Sequence, residues 1–154
     1  MEHDVILSRE DARRLNVVLT RLVDKARIDC VLLINKSGRL ITSQSETSDF
    51  DRTALAALIA GAFASTTAVA NMIGENEFTA LYHQGKKRNT HICLVDDSTI
   101  LTVLFDKRTT LDKVRHFIKE YNPDLRKALK KFYGNVQSDP NVNIDIGEAA
   151  RTVR

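Results

Sequence analysis

DRTALAALIAGAFASTTAVANMI, residues 51–73, is the stretch on which the reading of the fold turns. Its spacing predicts one long helix: Asp51 can cap the first turn, and Phe50 and Leu55 stand at the separation of a hydrophobic staple. Leu55, Leu58, Ile59, Phe63, Met72 and Ile73 form an apolar side broad enough to cover a sheet. Ala57, Ala60, Gly61, Ala64, Ala68 and Asn71 form a second side with little bulk, and no charge interrupts the helix between Arg52 and Glu75. Covering such a side strips little polar hydration and lets another backbone come close, so the helix is expected to meet protein twice. A fully buried central helix in a monomer is the other reading that composition permits.

Upstream, Ser8 and Asp11 have capping-box spacing, and Leu15, Val18, Leu19, Leu22 and Val23 give the first helix its apolar stripe, to an end near Lys25 to Ile28. The period then changes in CVLLINKSGRLITS, residues 30–43, where a turn at Lys36-Ser37-Gly38 separates two short strands. The polar residues 44–49 are a loop.

Downstream, Gly74 can stop the central helix, and three strands follow with short turns: Glu77 to His83, Asn89 to Val95 and Ser98 to Phe105. Thr109 and Asp112 again have capping-box spacing before a helix carrying Leu111, Val114, Phe117, Ile118 and Tyr121. Asn122-Pro123 is expected to end or sharply kink that helix, with a second piece from Asp124 to Tyr133 before Gly134. Residues 134–154 show no sustained period and are expected to be a flexible extension to a domain spanning 8–133. The whole reads as α/β (α+β), in the order α-β-β-α-β-β-β-α. One five-stranded antiparallel sheet lies between the central helix and the terminal helices, a three-layer αβα sandwich. Glu77 to His83 can pair with its copy in a second chain, making a homodimer.

Composition narrows the function. The chain has 154 residues, with 23 basic and 20 acidic side chains, a bias too weak to nominate nucleic acid. Nine Lys or Arg lie between Lys107 and Lys131 against Asp112, Glu120 and Asp124, a run that can steer an acidic protein, RNA or an anionic membrane surface or simply be a solvated face, and it has no stacking aromatics to mark specific nucleic-acid binding. Cys30 and Cys93 sit in apolar runs with neither Cys-x-x-Cys spacing nor a secretory leader, so both are expected to be reduced core thiols in a cytoplasmic protein with no integral membrane segment. There is no Walker loop and no Gly-x-Gly-x-x-Gly. His3, His83, His91 and His116 occupy separate elements, and no serine stands in a nucleophile elbow. No cofactor, metal site or catalytic residue is therefore expected.

VLLINKSGRLITS at 31–43, DRTALAALIAG at 51–61, MIGENEF at 72–78, His83-x-Gly85 and LFDKRTTLDKVR at 104–115 together resemble the Roadblock/dynein light chain family, over about Ser8 to Phe132. The resemblance is to its bacterial polarity members, which implies a homodimer that stimulates hydrolysis by a small Ras-like GTPase of the MglA type in its GTP form, at a cell pole. It also implies that Ala57, Ala60, Gly61, Ala64, Ala68 and Asn71 form the partner platform, and that Arg52, Lys86, Arg88 and Arg108 are surface or turn residues rather than arginine fingers. The C-terminal extension, with Val142, Ile144 and Ile146 as anchors, would promote nucleotide exchange. A dimeric scaffold of the same fold that leaves hydrolysis unchanged is the rival reading.

Overall fold

Ser8 begins the ordered architecture by accepting the backbone N–H of Asp11 on its hydroxyl at 3.1 Å, which caps α1, Arg9–Ala26. The structure, a computed structural model, describes residues 8–46 and 49–138. β1 (Cys30–Asn35) and β2 (Leu40–Ser45) follow, then α2 (Arg52–Met72), β3 (Ala80–Gln84), β4 (Asn89–Leu94), β5 (Thr99–Phe105) and α3 (Leu111–Ser138). The sheet is antiparallel throughout, in the order β2-β1-β5-β4-β3. The two strand groups thus join through β1 and β5, whose residues are all buried. Such strands read as unbroken apolar runs because both faces are covered.

Two cores lie on opposite faces. Leu15, Leu19 and Leu22 of α1 meet Leu125, Leu129 and Phe132 of α3 over Leu33, Val103 and Phe105. On the other face, Ala56, Ile59, Ala60 and Phe63 of α2 cover Leu32, Ile34, Ile92 and Ile100. Three layers result, as the periodicities predict. At the β1–β2 turn Gly38 has φ +98°, and a Cβ there would lie 3.5 Å from the Ala57 backbone, so glycine serves both the turn and the close approach of α2.

Three local expectations are corrected. Of the two outcomes expected at Asn122-Pro123, an end or a sharp kink, the end does not occur: α3 runs through Pro123 and Gly134 to Ser138. Proline removes the helical bond to the Lys119 carbonyl at a cost of about 3 kcal/mol, yet Leu125, Leu129 and Phe132 beyond it are each at most 2% exposed, and every such side chain returns about 1.5–3 kcal/mol. Burial wins. The expected boundary at residue 134 consequently falls inside a helix, and residues 139–154 of the expected extension lie outside the described residues. Thr110 rather than Thr109 caps α3, accepting from the Lys113 N–H at 3.3 Å, while Thr109 is buried.

Candidate functional site: the outer face of α2 and the open sheet edge

Asp51 caps α2 through the Ala54 N–H at 3.1 Å, and Phe50 and Leu55 both pack on the underlying core. The helix then buries a narrow stripe, Ala56, Ile59, Ala60, Phe63 and Ala70. This corrects two sequence assignments. Ala60, expected on the small outer side, is turned inward and only 6% exposed. Leu58, Met72 and Ile73, expected over the sheet, are 72%, 88% and 65% exposed. The physical reason is that the stripe touching the sheet is built largely of alanines, which lets the helix sit close and leaves bulk for the opposite side.

Ala57, Gly61, Ala64, Ala68 and Asn71 are exposed as expected. They are joined by Leu58, Val69 and Met72, which the grouping by residue size missed. The available signal was spacing: Ala54, Leu58, Gly61, Ser65, Ala68 and Met72 recur at alternating steps of four and three, the seam of a helix that packs along another helix. Nothing stands within 4 Å of a Cβ built on Gly61, so the chain's own packing does not require glycine there, although glycine costs a helix interior about 1 kcal/mol relative to alanine. The hydroxyls of this helix turn back on it: Ser65 donates to the Gly61 carbonyl at 3.1 Å, Thr66 and Thr67 to that of Phe63 at 2.7 and 3.2 Å. Covering the face strands no hydroxyl proton.

By length and apolarity α2 meets the test for a membrane-crossing helix, with mean hydropathy 1.7 over 18 residues, of which 28% are buried. Docking on the chain's own sheet accounts for the buried stripe, and the outer face is apolar surface beyond what a monomer needs.

The two sheet edges differ. β2 is half-buried along its length, with Thr42 donating to the Asn16 side chain of α1 at 2.8 Å. Among the described residues β3 pairs only with β4, and four of its five residues are exposed. The Lys36–Glu77 ion pair at 3.1 Å ties the approach to β3 to the β1–β2 turn. An open, uncharged strand edge is a template for another strand.

The three arginines singled out by the resemblance are committed within the chain. Arg52 donates to Ser43 at 2.9 Å, Arg88 pairs with Asp49 at 2.9 Å beside the Phe50 ring, and Arg108 reaches Asp29, Asp106 and Glu46. Cys30 and Cys93 are free thiols on opposite faces of the sheet, and burial raises both pKa values, that of Cys93 to about 12. His83 lies against Thr90 at 3.0 Å on the exposed part of the β3–β4 hairpin. Among the described residues no cluster of three His, Cys, Asp or Glu could hold a metal.

A five-stranded sheet with one helix on one face and two on the other, carrying an exposed apolar helix side and an open edge strand, is the frame of a small interaction module. The Roadblock/LC7 domain profile matches residues 14–105, and the chain belongs to that family. Within it, MglB of Myxococcus xanthus is similar in sequence and structure: 36% identity, TM-score 0.76, with 82% of this chain and 96% of that one covered. The gliding protein MglB of Thermus thermophilus, 24% identical, superposes with TM-score 0.76 over 85% of this chain and 99% of its own, and an MglB with tetrameric arrangement, 23% identical, with TM-score 0.77 over 85% and 98%; these two share the fold. No curated protein matches the sequence.

Proposed function

We propose that this chain is a homodimeric GTPase-activating platform for a small Ras-like GTPase of the MglA type in its GTP form, acting in bacterial cell polarity or motility, in the cytoplasm and at a cell pole. The observation that carries the proposal is the exposed apolar side of α2 together with the open edge of β3. Pairing two β3 edges about a two-fold axis extends the sheet across the dimer and brings the two α2 helices together. Leu58, Val69 and Met72 supply the bulk that such a helix pair buries, while Ala57, Gly61, Ala64, Ala68 and Asn71 remain as the short-side-chain surface on which the GTPase rests. The similarity to MglB of Myxococcus xanthus supports the family of function.

No catalytic side chain is assigned to this protein. With Arg52, Arg88 and Arg108 already paired inside the chain, activation operates by docking, which orders the GTPase's own groups around the γ-phosphate. In the same reading the C-terminal extension, residues 134–154, promotes nucleotide exchange.

Two measurements test the reading. Solution mass at micromolar concentration is expected near twice the chain mass; a persistent monomer sinks the dimer. GTP turnover by a candidate GTPase is expected to rise when this protein is added. Tight binding with turnover unchanged would leave the scaffold reading in its place.

A further inference from the structure

α1 and α3 pack side by side, with Asn135 donating to Asp11, so the first turn of α1 and the last turns of α3 share one end of their layer. Between the two helices runs a groove of about 440 Å³, lined by helix residues alone. Val17, Val18 and Ala128 make its floor, and Arg13, Lys127 and Lys131 stand along its rims. Val17 is 44% exposed, the one large apolar side chain of either helix that stands exposed among the described residues. The three rim cations make no ion pair or side-chain hydrogen bond among those residues, whereas Arg14 beside them is taken by Glu10 and Asp11.

The chain that leaves this end of the layer has a pattern that fits the groove. α3 stops at Ser138, and Asp139-Pro140-Asn141-Val142 has the residues of a tight turn, with proline second and Asp and Asn on either side. Proline also disfavours helix at the residue before it. Val142, Ile144 and Ile146 then alternate with Asn143 and Asp145, an extended pattern with one apolar side, too short to hold a strand by itself. Residues 139–146 hold Asp139 and Asp145 and no Lys or Arg. The lengths agree. Lys131 and Lys127 lie about 10 and 16 Å back from Ser138 along the helix axis. A segment turned back at Pro140 and extended at about 3.3 Å per residue brings Ile144 level with the first and Ile146 level with the second, with Asp145 between them. The carboxylates of the groove do not oppose it, since Glu10 is paired with Arg14 and Asp124 lies beyond the level of Ile146.

We propose that residues 142–146 of this chain bind its own α1–α3 groove, with Val142, Ile144 and Ile146 on Val17, Val18 and Ala128 and Asp145 between Lys127 and Lys131. Docking covers the exposed valine of this layer and gives the rim cations a counter-charge. The groove lies across the sheet from α2, so in the GTPase reading, on which only this consequence rests, the segment must leave the groove before it reaches a partner seated on α2.

The test is paramagnetic broadening in the full ¹⁵N-labelled chain without any GTPase, with a nitroxide attached at Gly147→Cys. Cys30 and Cys93 escape the label because burial raises both pKa values and keeps them as thiols. Amides 13–18 and 127–131 are expected to lose their signals. The turns at 36–38 and 96–98, which adjoin the end of α3 through the bonds of Tyr133 to Asn35 and Thr99, are expected to keep theirs. Ile144→Asp and, separately, Val17→Asp are each expected to restore the groove signals with an unchanged thermal transition. Equal broadening of the groove and the two turns, or groove signals still lost in Ile144→Asp, overturns the proposal. Loss of groove signals in a nitroxide-free ¹⁵N chain mixed with nitroxide-bearing unlabelled chain, and not within one chain, moves the segment to a second copy and overturns the assignment to its own groove. Groove resonances that shift with Ile6→Asp and not with Ile144→Asp give the groove to residues 1–7 and overturn it as well.

Discussion

α2 and the α1–α3 pair cover the same sheet from opposite sides, but they are finished differently. α1 and α3 bury one apolar stripe each and turn charge to water: Arg14 pairs with Glu10 and Asp11, and α3 carries most of the basic run. Their polar contacts close within the chain, as where Asn135 donates to the buried Asp11 at 3.0 Å and Tyr133 meets Thr99 at 2.7 Å and Asn35 at 3.3 Å. α2 has no charged side chain after Arg52 and leaves Leu58, Val69 and Met72 in water. One side of the protein is closed by its own chain, and the other leaves apolar side chains exposed. The sheet between them transmits the same distinction to its edges, β2 covered and β3 open.

The sharpest way to break this comparison lies within α2, between two alanines one turn apart. Ala60→Arg places a charge against Ile34 and Ile100 on the buried side, and is expected to cost about 3–5 kcal/mol and abolish the cooperative thermal transition. Ala64→Arg places the same side chain on the outer side. It is expected to leave dimer mass and thermal transition intact while weakening the GTP-loaded GTPase by about 2–5 kcal/mol, roughly 30-fold or more. A folded Ala64→Arg dimer that binds and activates normally removes Ala64 from the platform. Unfolding of both variants would mean that α2 is enclosed on every side.

That pair also marks the limit of the sequence. The order of elements was legible because α1, β1, β5 and α3 each show one clear period, and the caps at Ser8 and Asp51 stand where their acceptors and apolar neighbours require. The orientation of α2 was not, because a helix apolar all round gives no contrast between sides. Size suggested that Leu58, Met72 and Ile73 point inward and Ala60 outward, and packing reverses all four. The exposed row from Leu58 to Met72 was readable only as a four-three spacing. Likewise the local rule for proline allowed an end or a kink, and the long-range burial of Leu129 and Phe132 carries the helix past it. Two adjacent threonines offered the same capping chemistry, and the chain uses the second.

A middle-sized effect tests the closed side. Tyr133 has its pKa raised to about 12, chiefly by burial, and its hydroxyl serves both Thr99 and Asn35, which are almost fully buried. Tyr133→Phe keeps the ring and leaves those partners short of a bond, so stability is expected to fall by about 1–3 kcal/mol. GTPase binding at a temperature where the variant is folded should be unchanged. Loss of binding there would show that the two faces are coupled through the sheet.

The smallest effect comes from protons on the same closed side. His91 has its pKa lowered from the ordinary 6.5, first by burial and then by Arg115. The charged and titratable groups around it are Arg115, His116 and Lys119 of α3, Cys93 on its own strand, and Tyr82, its register partner on β3. The unfolded chain takes up a proton at His91 near pH 6.5 and the folded chain only at lower pH. Between those two values the unfolded state therefore binds more protons. Stability contributed by the neutral ring is full above about pH 6.5 and drains away as pH falls toward the folded value. Comparing denaturant midpoints of the wild-type chain and His91→Gln from pH 7.5 down to 5 isolates that contribution, because all other titrations are common to both. The difference in stability between them should narrow or reverse on acidification. A difference that stays constant across the window would mean that His91 gains its proton as easily folded as unfolded, and would move it from the closed side of the molecule to the open one.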